Sequence, residues 1–95
     1  MQAKMNKLSA WIPITDSEEL YSYYTSLLTE SGFKILHVAQ YHFKPQGYTA
    51  LFLLAESHFA IHTFPECDKT YIELSSCVDR QYEKFLELHS MEILE

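Results

Sequence analysis

The chain has 95 residues, which limits it to one small domain, predicted to span residues 1–95. Hydrophobic residues make up 47% and the formal net charge is −6, which disfavours disorder and argues against nucleic acid or an anionic membrane surface as a partner. Two cysteines ten positions apart form no disulfide framework or zinc motif, and no signal peptide or membrane span is expected, so a reducing, cytoplasmic setting is predicted.

Hydrophobic periodicity predicts the elements in chain order. A short apolar run over 8–14 predicts the first strand. Helically spaced apolar residues follow, preceded by capping candidates at 15–19 and ended by Gly32, and they predict the first helix. Four more strands are predicted over 33–43, 48–55, 59–64 and 69–76, with a turn at 44–47. The second helix is predicted to begin near Asp79, with one face formed by Tyr82, Phe85, Leu86 and His89.

The predicted order β-α-β-β-β-β-α is typical of an α+β fold. We expect a two-layer α/β sandwich, in which two helices cover one face of a mainly antiparallel sheet. The segment 48–55 is almost continuously apolar. Such a run predicts a central strand that is covered on both faces.

Polar residues interrupt these apolar strands at Glu56-Ser57-His58, at His62 and at Cys77. Polar groups in such positions must either form hydrogen bonds or serve a function, because burying them without a hydrogen-bond partner costs free energy. The odd offset between Ser57 and His62 puts them on opposite faces of an ideal strand, so one shared site requires a turn or bulge near Ser57. A strained peptide bond between Glu56 and Ser57 is where an N-to-O acyl shift is easiest.

Taken singly, each of these residues has an ordinary structural interpretation. A serine beside a histidine, as at Ser57, is typical of a surface or a turn. A single histidine such as His62 is usually a hydrogen-bonded strand residue, and a single cysteine such as Cys77 is usually a small buried hydrophobic residue. His58 and His62 lie about 13 Å apart along a strand, too far for one ion, so no metal is expected. A Ser–His hydrolase stays open, although the chain has no Gly-x-Ser-x-Gly motif.

Taken together, two segments and one cysteine resemble the S-adenosylmethionine decarboxylase family. Residues 43–49 read FKPQGYT and residues 54–66 read LAESHFAIHTFPE, and Cys77 follows Ser57 by twenty positions. In that family a Phe-x-Pro-x-Gly turn precedes a hydroxyl residue, followed by a Glu-Ser-His cleavage site and an Ile-His-Thr-aromatic-Pro-Glu segment. The resemblance covers about a third of the chain.

The resemblance implies self-cleavage into residues 1–56 and 57–95. The Ser57 hydroxyl would attack the Glu56 carbonyl to give an ester, and His62 would be the base for the elimination that follows. Thr49 would hydrogen-bond the intermediate. Ser57 would thereby become the pyruvoyl cofactor, whose carbonyl forms a Schiff base with the substrate amine, and Cys77 would return a proton to the substrate carbon.

The resemblance also implies how substrate and partner are bound. Phe43 would stack on adenine and Glu66 would bind the ribose hydroxyls, and bacterial members of the family are homodimers with sites at the interface. The chain departs from the family pattern at several positions, which are Ala50, Phe64, Val78 and the segment 67–71.

Three hypotheses follow from this pattern. The first is a minimal S-adenosylmethionine decarboxylase that supplies the aminopropyl donor for spermidine. The second is a sibling enzyme that uses the pyruvoyl group on ornithine or arginine, and the third is a non-processing binding or regulatory subunit.

Overall fold

The computed structural model of the chain describes residues 4–93, so both ends of the predicted 1–95 domain lie outside the described residues. Within 4–93 the chain forms five strands, two α-helices and a 3-10 turn over Pro65–Cys67, and their order confirms the predicted β-α-β-β-β-β-α arrangement. The elements are β1 Asn6–Ile12, α1 Ser17–Glu30, β2 Ile35–His42, β3 Tyr48–Leu54, β4 Ser57–Phe64, β5 Lys69–Ser76 and α2 Asp79–Ile93.

The strands form one sheet in the order β1-β5-β4-β3-β2, and every neighbouring pair is antiparallel. Strands β2 to β5 follow one another along the chain, and β1 joins at the free edge of β5. Both helices contribute to the core on the same face of the sheet. The fold is therefore the predicted α+β sandwich with helices on one side.

Helix α1 begins and ends as its sequence predicts. The Asp16 side chain accepts a hydrogen bond from the backbone N–H of Glu19 at 2.9 Å, which caps the N-terminus. Gly32 has a φ of 99° and donates to the Thr29 carbonyl at 3.0 Å, while Phe33 donates to the Leu28 carbonyl at 3.0 Å. These two bonds form a Schellman motif, in which glycine is favoured because it adopts positive φ without strain.

The core lies between the helices and the inner face of the sheet. Phe59 on β4 is fully buried, and its ring lies 4.8 Å from that of Tyr24 on α1 and 5.6 Å from that of Phe85 on α2. Burial of large aromatic side chains supplies much apolar area per residue, which lets a small domain close. The other fully buried large side chains include Phe52, Leu20, Leu27, Leu28, Leu54, Ile61, Ile72 and Leu74.

Six predicted strand boundaries were wrong, each by one or two residues, and three of them have a clear local cause. β1 ends at Ile12, before Pro13, because proline lacks the N–H that the ladder needs. β2 begins at Ile35, since Phe33 is held in the helix cap. β4 begins at Ser57 and not at residue 59, because the turn that precedes it has only two residues.

The prediction that the 48–55 strand is covered on both faces was wrong within this chain. Leu51 and Leu53 are 50% and 53% exposed, although β3 is flanked by strands on both sides. Trp11 and Phe64 lie on the same uncovered side, with their ring centroids 5.6 Å apart. We call this surface, marked by Trp11, Leu51, Leu53 and Phe64, the open face. An apolar surface of this kind is typical of an interaction site.

A buried histidine makes the stability of this fold depend on pH. His89 on α2 is buried, and its Nε2 lies 2.8 Å from the Tyr24 hydroxyl. Burial lowers the pKa of His89, because desolvation disfavours the imidazolium. The unfolded chain binds this proton near its ordinary pKa of about 6.5, whereas the folded chain binds it only at lower pH. The free energy of unfolding is therefore expected to fall as the pH drops through about 6.5.

Urea denaturation between about pH 7.5 and pH 5.5 measures this effect. His89→Gln removes the titrating ring while keeping a partner for Tyr24, and it should flatten the profile. His58→Gln replaces an exposed histidine and serves as the control, so its slope should match that of the unaltered chain. Equal slopes in all three proteins would contradict the assignment to His89.

Candidate active site

A strained two-residue turn lies directly before Ser57. Leu54 and Ser57 are paired across β3 and β4, which leaves only Ala55 and Glu56 to reverse the chain. Glu56 has a φ of 62°, in the left-handed region that costs an ordinary L-residue about 1–2 kcal/mol. Backbone strain therefore lies at the residue whose carbonyl precedes Ser57.

The thiol of Cys77 contacts the carbonyl oxygen of Glu56. Because Ser57 pairs with Ser76 in the β4–β5 ladder, the next residues outward, Glu56 and Cys77, become neighbours. Cys77 Sγ donates to the Glu56 carbonyl oxygen at 3.1 Å, and the backbone N–H of Cys77 approaches the same oxygen at 3.5 Å. Two donors that converge on one carbonyl oxygen are the arrangement that stabilises an oxyanion.

The hydroxyl of Ser57 donates to the hydroxyl of Ser76 at 2.7 Å. Both residues are buried, with 7% of Ser57 and 0% of Ser76 exposed. Ser76 did not emerge from the sequence as a site residue. The sequence does contain a pattern that could have identified it. Ile72, Leu74 and Ser76 alternate along β5, so Ser76 is expected on the same buried face as the two apolar residues. We call Glu56, Ser57, Ser76 and Cys77 the Ser57 cluster.

Thr49 and His62 form a second polar contact. They are direct partners across β3 and β4, and Thr49 Oγ1 lies 3.2 Å from His62 Nδ1. The ring of Tyr71 lies 6.3 Å from that of His62 and nearly parallel to it. The contact at Nδ1 fixes the imidazole, and when Nδ1 carries the proton, Nε2 has the lone pair that a base requires.

The two predicted substrate contacts lie at the same end of the sheet as His62. Phe43 directly follows β2 and is 49% exposed, with its backbone N–H donating to the Gly47 carbonyl at 2.8 Å. Glu66 is exposed in the 3-10 turn that follows β4. We use the name His62 cluster for the four residues at this end of the sheet, which are Thr49, His62, Phe43 and Glu66.

The structure does not bring the two clusters together within one chain. The β3–β4 register runs without a shift from Thr49–His62 to Leu54–Ser57. Ser57 therefore faces the helices and His62 the open face, with about 16 Å between them along β4. The turn expected near Ser57 is present, but the bulge that would reunite the two residues is absent from β4. The register shift lies instead in β2, between Ile35 and His37.

Residues 4–93 contain neither a metal-binding cluster nor a helix that could cross a membrane. No group of three or more His, Cys, Asp or Glu side chains in this range is arranged to hold a metal ion. Neither described helix has the length and apolar content to span a membrane.

Comparison with known proteins places these residues in a family context. The family model described as S-adenosylmethionine decarboxylase matches residues 11–93. The S-adenosylmethionine decarboxylase proenzyme of Prochlorococcus marinus is 36% identical over 67 residues, which cover 70% of this chain and 54% of that protein. The proenzyme of Clostridium tetani is 31% identical over 67 residues, which cover 70% of this chain and 53% of that protein.

A solved structure has the same fold. The adenosylmethionine decarboxylase of Aquifex aeolicus superposes with a TM-score of 0.76 at 19% sequence identity, covering 95% of this chain and 79% of that one. This superposition confirms the fold class. The chain spans about half the length of the curated relatives it matches, since the aligned regions cover 54% and 53% of the two proenzymes.

Proposed function

Because the chain belongs to the S-adenosylmethionine decarboxylase family, we propose that it is a pyruvoyl-dependent decarboxylase that cleaves itself between Glu56 and Ser57. The observation that carries this proposal is the contact of the Cys77 thiol with the Glu56 carbonyl oxygen at 3.1 Å. It places a hydrogen-bond donor on the carbonyl that would be attacked, beside the hydroxyl that would attack it.

Self-cleavage would proceed in two steps on the chain's own atoms. Ser57 Oγ bonds to the carbonyl carbon of Glu56, the peptide C–N bond breaks, and the hydroxyl proton moves to the nitrogen of residue 57. A base then removes the α-proton of residue 57, and the bond from Oγ to Cβ breaks and releases Glu56 as a carboxylate. Water hydrolyses the resulting dehydroalanine, releasing ammonia. The strain at Glu56 would be relieved when its peptide bond breaks.

The residues around position 57 fit the group that these steps would form. A pyruvoyl group supplies an electrophilic carbonyl that draws electrons from the substrate when carbon dioxide leaves. The Ser57 position is buried at the start of β4, which shields such a carbonyl from water. Cys77 is exposed at its side and would hold the proton that returns to the substrate carbon.

The separation of the two clusters supports an active site shared between two copies of the chain. The Ser57 cluster contains the bond to be cleaved, and the His62 cluster contains the base and the substrate contacts. About 16 Å of strand lies between them, so His62 cannot reach the Ser57 of its own chain. In a two-fold symmetric dimer, each Ser57 cluster would meet the partner's His62 cluster, giving two equivalent sites.

The open face supports a second copy as the partner. Trp11, Leu51 and Leu53 are each at least half exposed, and Phe64 is 38% exposed. The almost continuous apolar sequence of β3 is typical of a strand covered on both faces, but this chain covers only one of them. A second sheet packed against the first would supply the missing cover.

The substrate contacts support S-adenosylmethionine as the substrate. Phe43 is an exposed aromatic ring that could stack on adenine, and Glu66 is an exposed carboxylate that could accept hydrogen bonds from ribose hydroxyls. Ornithine and arginine carry neither adenine nor ribose, so S-adenosylmethionine matches this pair of contacts better than they do. The product of S-adenosylmethionine decarboxylation would serve as the aminopropyl donor for spermidine.

Intact-mass spectrometry of the purified protein tests self-cleavage, and carbon dioxide release tests the substrate. Two fragments are expected, one ending at Glu56 and one beginning with a pyruvoyl group, together with activity on S-adenosylmethionine and none on ornithine or arginine. A single mass for the whole chain after long incubation would refute the enzyme proposal and favour a non-processing binding subunit. Activity on ornithine or arginine alone would instead refute the substrate.

Loss of the Cys77 thiol is expected to slow cleavage without preventing it. Cys77→Ala removes the 3.1 Å donor to the Glu56 carbonyl but keeps the backbone N–H, so cleavage should slow by about 10²-fold. Cys77→Ser keeps a donor and should recover part of the rate. Cys67→Ala, a change at the other exposed cysteine, is the control. An unchanged cleavage rate in Cys77→Ala, followed by intact mass over time, would contradict this role.

A further inference from the structure

The hydroxyl of Ser57 has a specific hydrogen-bond acceptor in Ser76. The two Oγ atoms are 2.7 Å apart, and the residues are direct partners in the β4–β5 register. Ser76 is completely buried, so no solvent competes for its oxygen. The Ser57 hydroxyl therefore meets one fixed protein atom in place of mobile water.

Ser76 is itself held in place by the backbone that follows β5. The N–H of Val78 donates to Ser76 Oγ at 3.0 Å, while the Val78 carbonyl lies 3.5 Å from the same oxygen. The Ser76 oxygen thus accepts from Val78 on one side and from Ser57 on the other. A side chain anchored in this way can fix the orientation of its partner, because its own rotamer is restricted.

Ser76, the last residue of β5, and Cys77, which follows it, hold the two atoms that must react. Ser76 binds the Ser57 hydroxyl, and Cys77 binds the carbonyl oxygen of Glu56 at 3.1 Å. Ser76 is buried and Cys77 is exposed, so the two neighbours approach the Glu56–Ser57 bond from different sides. This arrangement places nucleophile and electrophile in a defined relation before any partner subunit is added.

We propose that Ser76 is a positioning residue for the acyl shift at Glu56–Ser57, an inference that rests on the proposed self-cleavage. By accepting the Ser57 hydroxyl hydrogen, Ser76 selects one rotamer of Ser57 and leaves an Oγ lone pair free to approach the Glu56 carbonyl carbon. Ser76 gains no net proton, since the hydroxyl proton ends on the nitrogen of residue 57. The residue acts on the first step and has no role in the later elimination.

Removal of the Ser76 hydroxyl is expected to slow the first step. In Ser76→Ala, cleavage followed by intact mass should slow by about 10- to 100-fold, the effect of losing orientation and one hydrogen bond. Ser76→Thr keeps the hydroxyl and should cleave within about threefold of the unaltered chain. Ser75→Ala, a change at the adjacent serine, which is 2% exposed and points to the other face, is the matched control and should cleave normally.

Hydroxylamine distinguishes a positioning role from a general structural one. It cleaves esters but not peptide bonds, so it releases a fragment ending at residue 56 only if the acyl shift has occurred. Ser76→Ala should release little of this fragment because its defect precedes the ester. Abundant release from Ser76→Ala would place the defect after the shift and overturn the proposal. The proposal would also be overturned if Ser76→Thr did not recover the cleavage rate and both variants had a lowered melting temperature. That result would assign Ser76 a purely structural role.

The same experiments distinguish failure of the Ser76 proposal from failure of the self-cleavage proposal. If the unaltered chain cleaves and Ser76→Ala cleaves at the same rate, the Ser76 proposal fails while self-cleavage stands. If the unaltered chain stays whole, self-cleavage fails and the Ser76 proposal fails with it.

Discussion

Ser57→Ala is expected to stay whole and to show no decarboxylase activity. The change removes the hydroxyl that is proposed to attack the Glu56 carbonyl and, with it, the proposed source of the reactive carbonyl needed for turnover. The ester that leads to the reactive carbonyl must form on the side chain of residue 57 itself, so the loss should exceed about 10³-fold in both cleavage and carbon dioxide release. Intact mass and carbon dioxide release on the same preparation measure the two effects.

A serine elsewhere in the chain provides the control for this change. Ser26 is exposed on α1 and belongs to neither cluster, and Ser26→Ala should cleave and turn over as the unaltered chain does. Circular dichroism should show the same secondary structure in both variants. A Ser57→Ala protein that still produced a fragment ending at Glu56 would contradict the proposed nucleophile.

His62→Ala is expected to stop the second step and leave the first one running. Loss of a general base costs about 10²- to 10⁴-fold, so the ester should accumulate while the mass of the whole chain stays unchanged. Hydroxylamine should then release a fragment ending at residue 56. Ser76→Ala is expected to give the opposite result, with little fragment released by hydroxylamine. Comparing the two variants would therefore assign Ser76 to the acyl shift and His62 to the elimination.

His58→Ala is the control for the histidine change. His58 lies four residues earlier on β4, on the same face as His62, and is exposed. It should cleave to completion and leave no ester for hydroxylamine. If His62→Ala cleaved as fast as His58→Ala, the assignment of His62 as the base would be wrong.

The sequence predicted the elements of this fold well because their signals are local. The capping residue Asp16, the positive-φ glycine at 32 and the alternation along β5 each act within a few neighbouring residues. The opposite faces of Ser57 and His62 were also predictable, since strand parity depends only on their spacing. The exposure of Leu51 and Leu53 was not predictable. A continuously hydrophobic strand indicates that both faces are covered, but not whether the covering surface belongs to the same chain.

The partner of Ser57 could not be predicted for a different reason. The contact between Ser57 and Ser76 depends on the register of β4 against β5, and periodicity alone leaves the register open. The same register places Cys77 against Glu56, a contact that twenty residues of separation in the sequence do not reveal. Contacts across strands therefore required the structure, whereas contacts along strands did not.

If the site is divided between two chains, as proposed, the two steps of cleavage would occur in a fixed order. The Ser57 cluster lies within one chain, so the proposed acyl shift would need only the strained turn together with Ser76 and Cys77. Elimination would need His62 as the proposed base, and in this arrangement His62 would come from a partner chain. Cleavage would therefore be completed only in the assembled dimer, and the reactive carbonyl would form only where a substrate site exists to receive it.

A heterodimer of two inactive chains tests the shared site most directly. Ser57→Ala and His62→Ala chains would be co-expressed with different affinity tags and purified through both tags in turn. In the heterodimer, the intact Ser57 of the His62→Ala chain faces the intact His62 of its partner, so one working site of two is expected. Intact mass should then show the His62→Ala chain cleaved at Glu56–Ser57 and the Ser57→Ala chain whole. If both chains stayed whole, the base could not act from the partner, and the shared site would be contradicted.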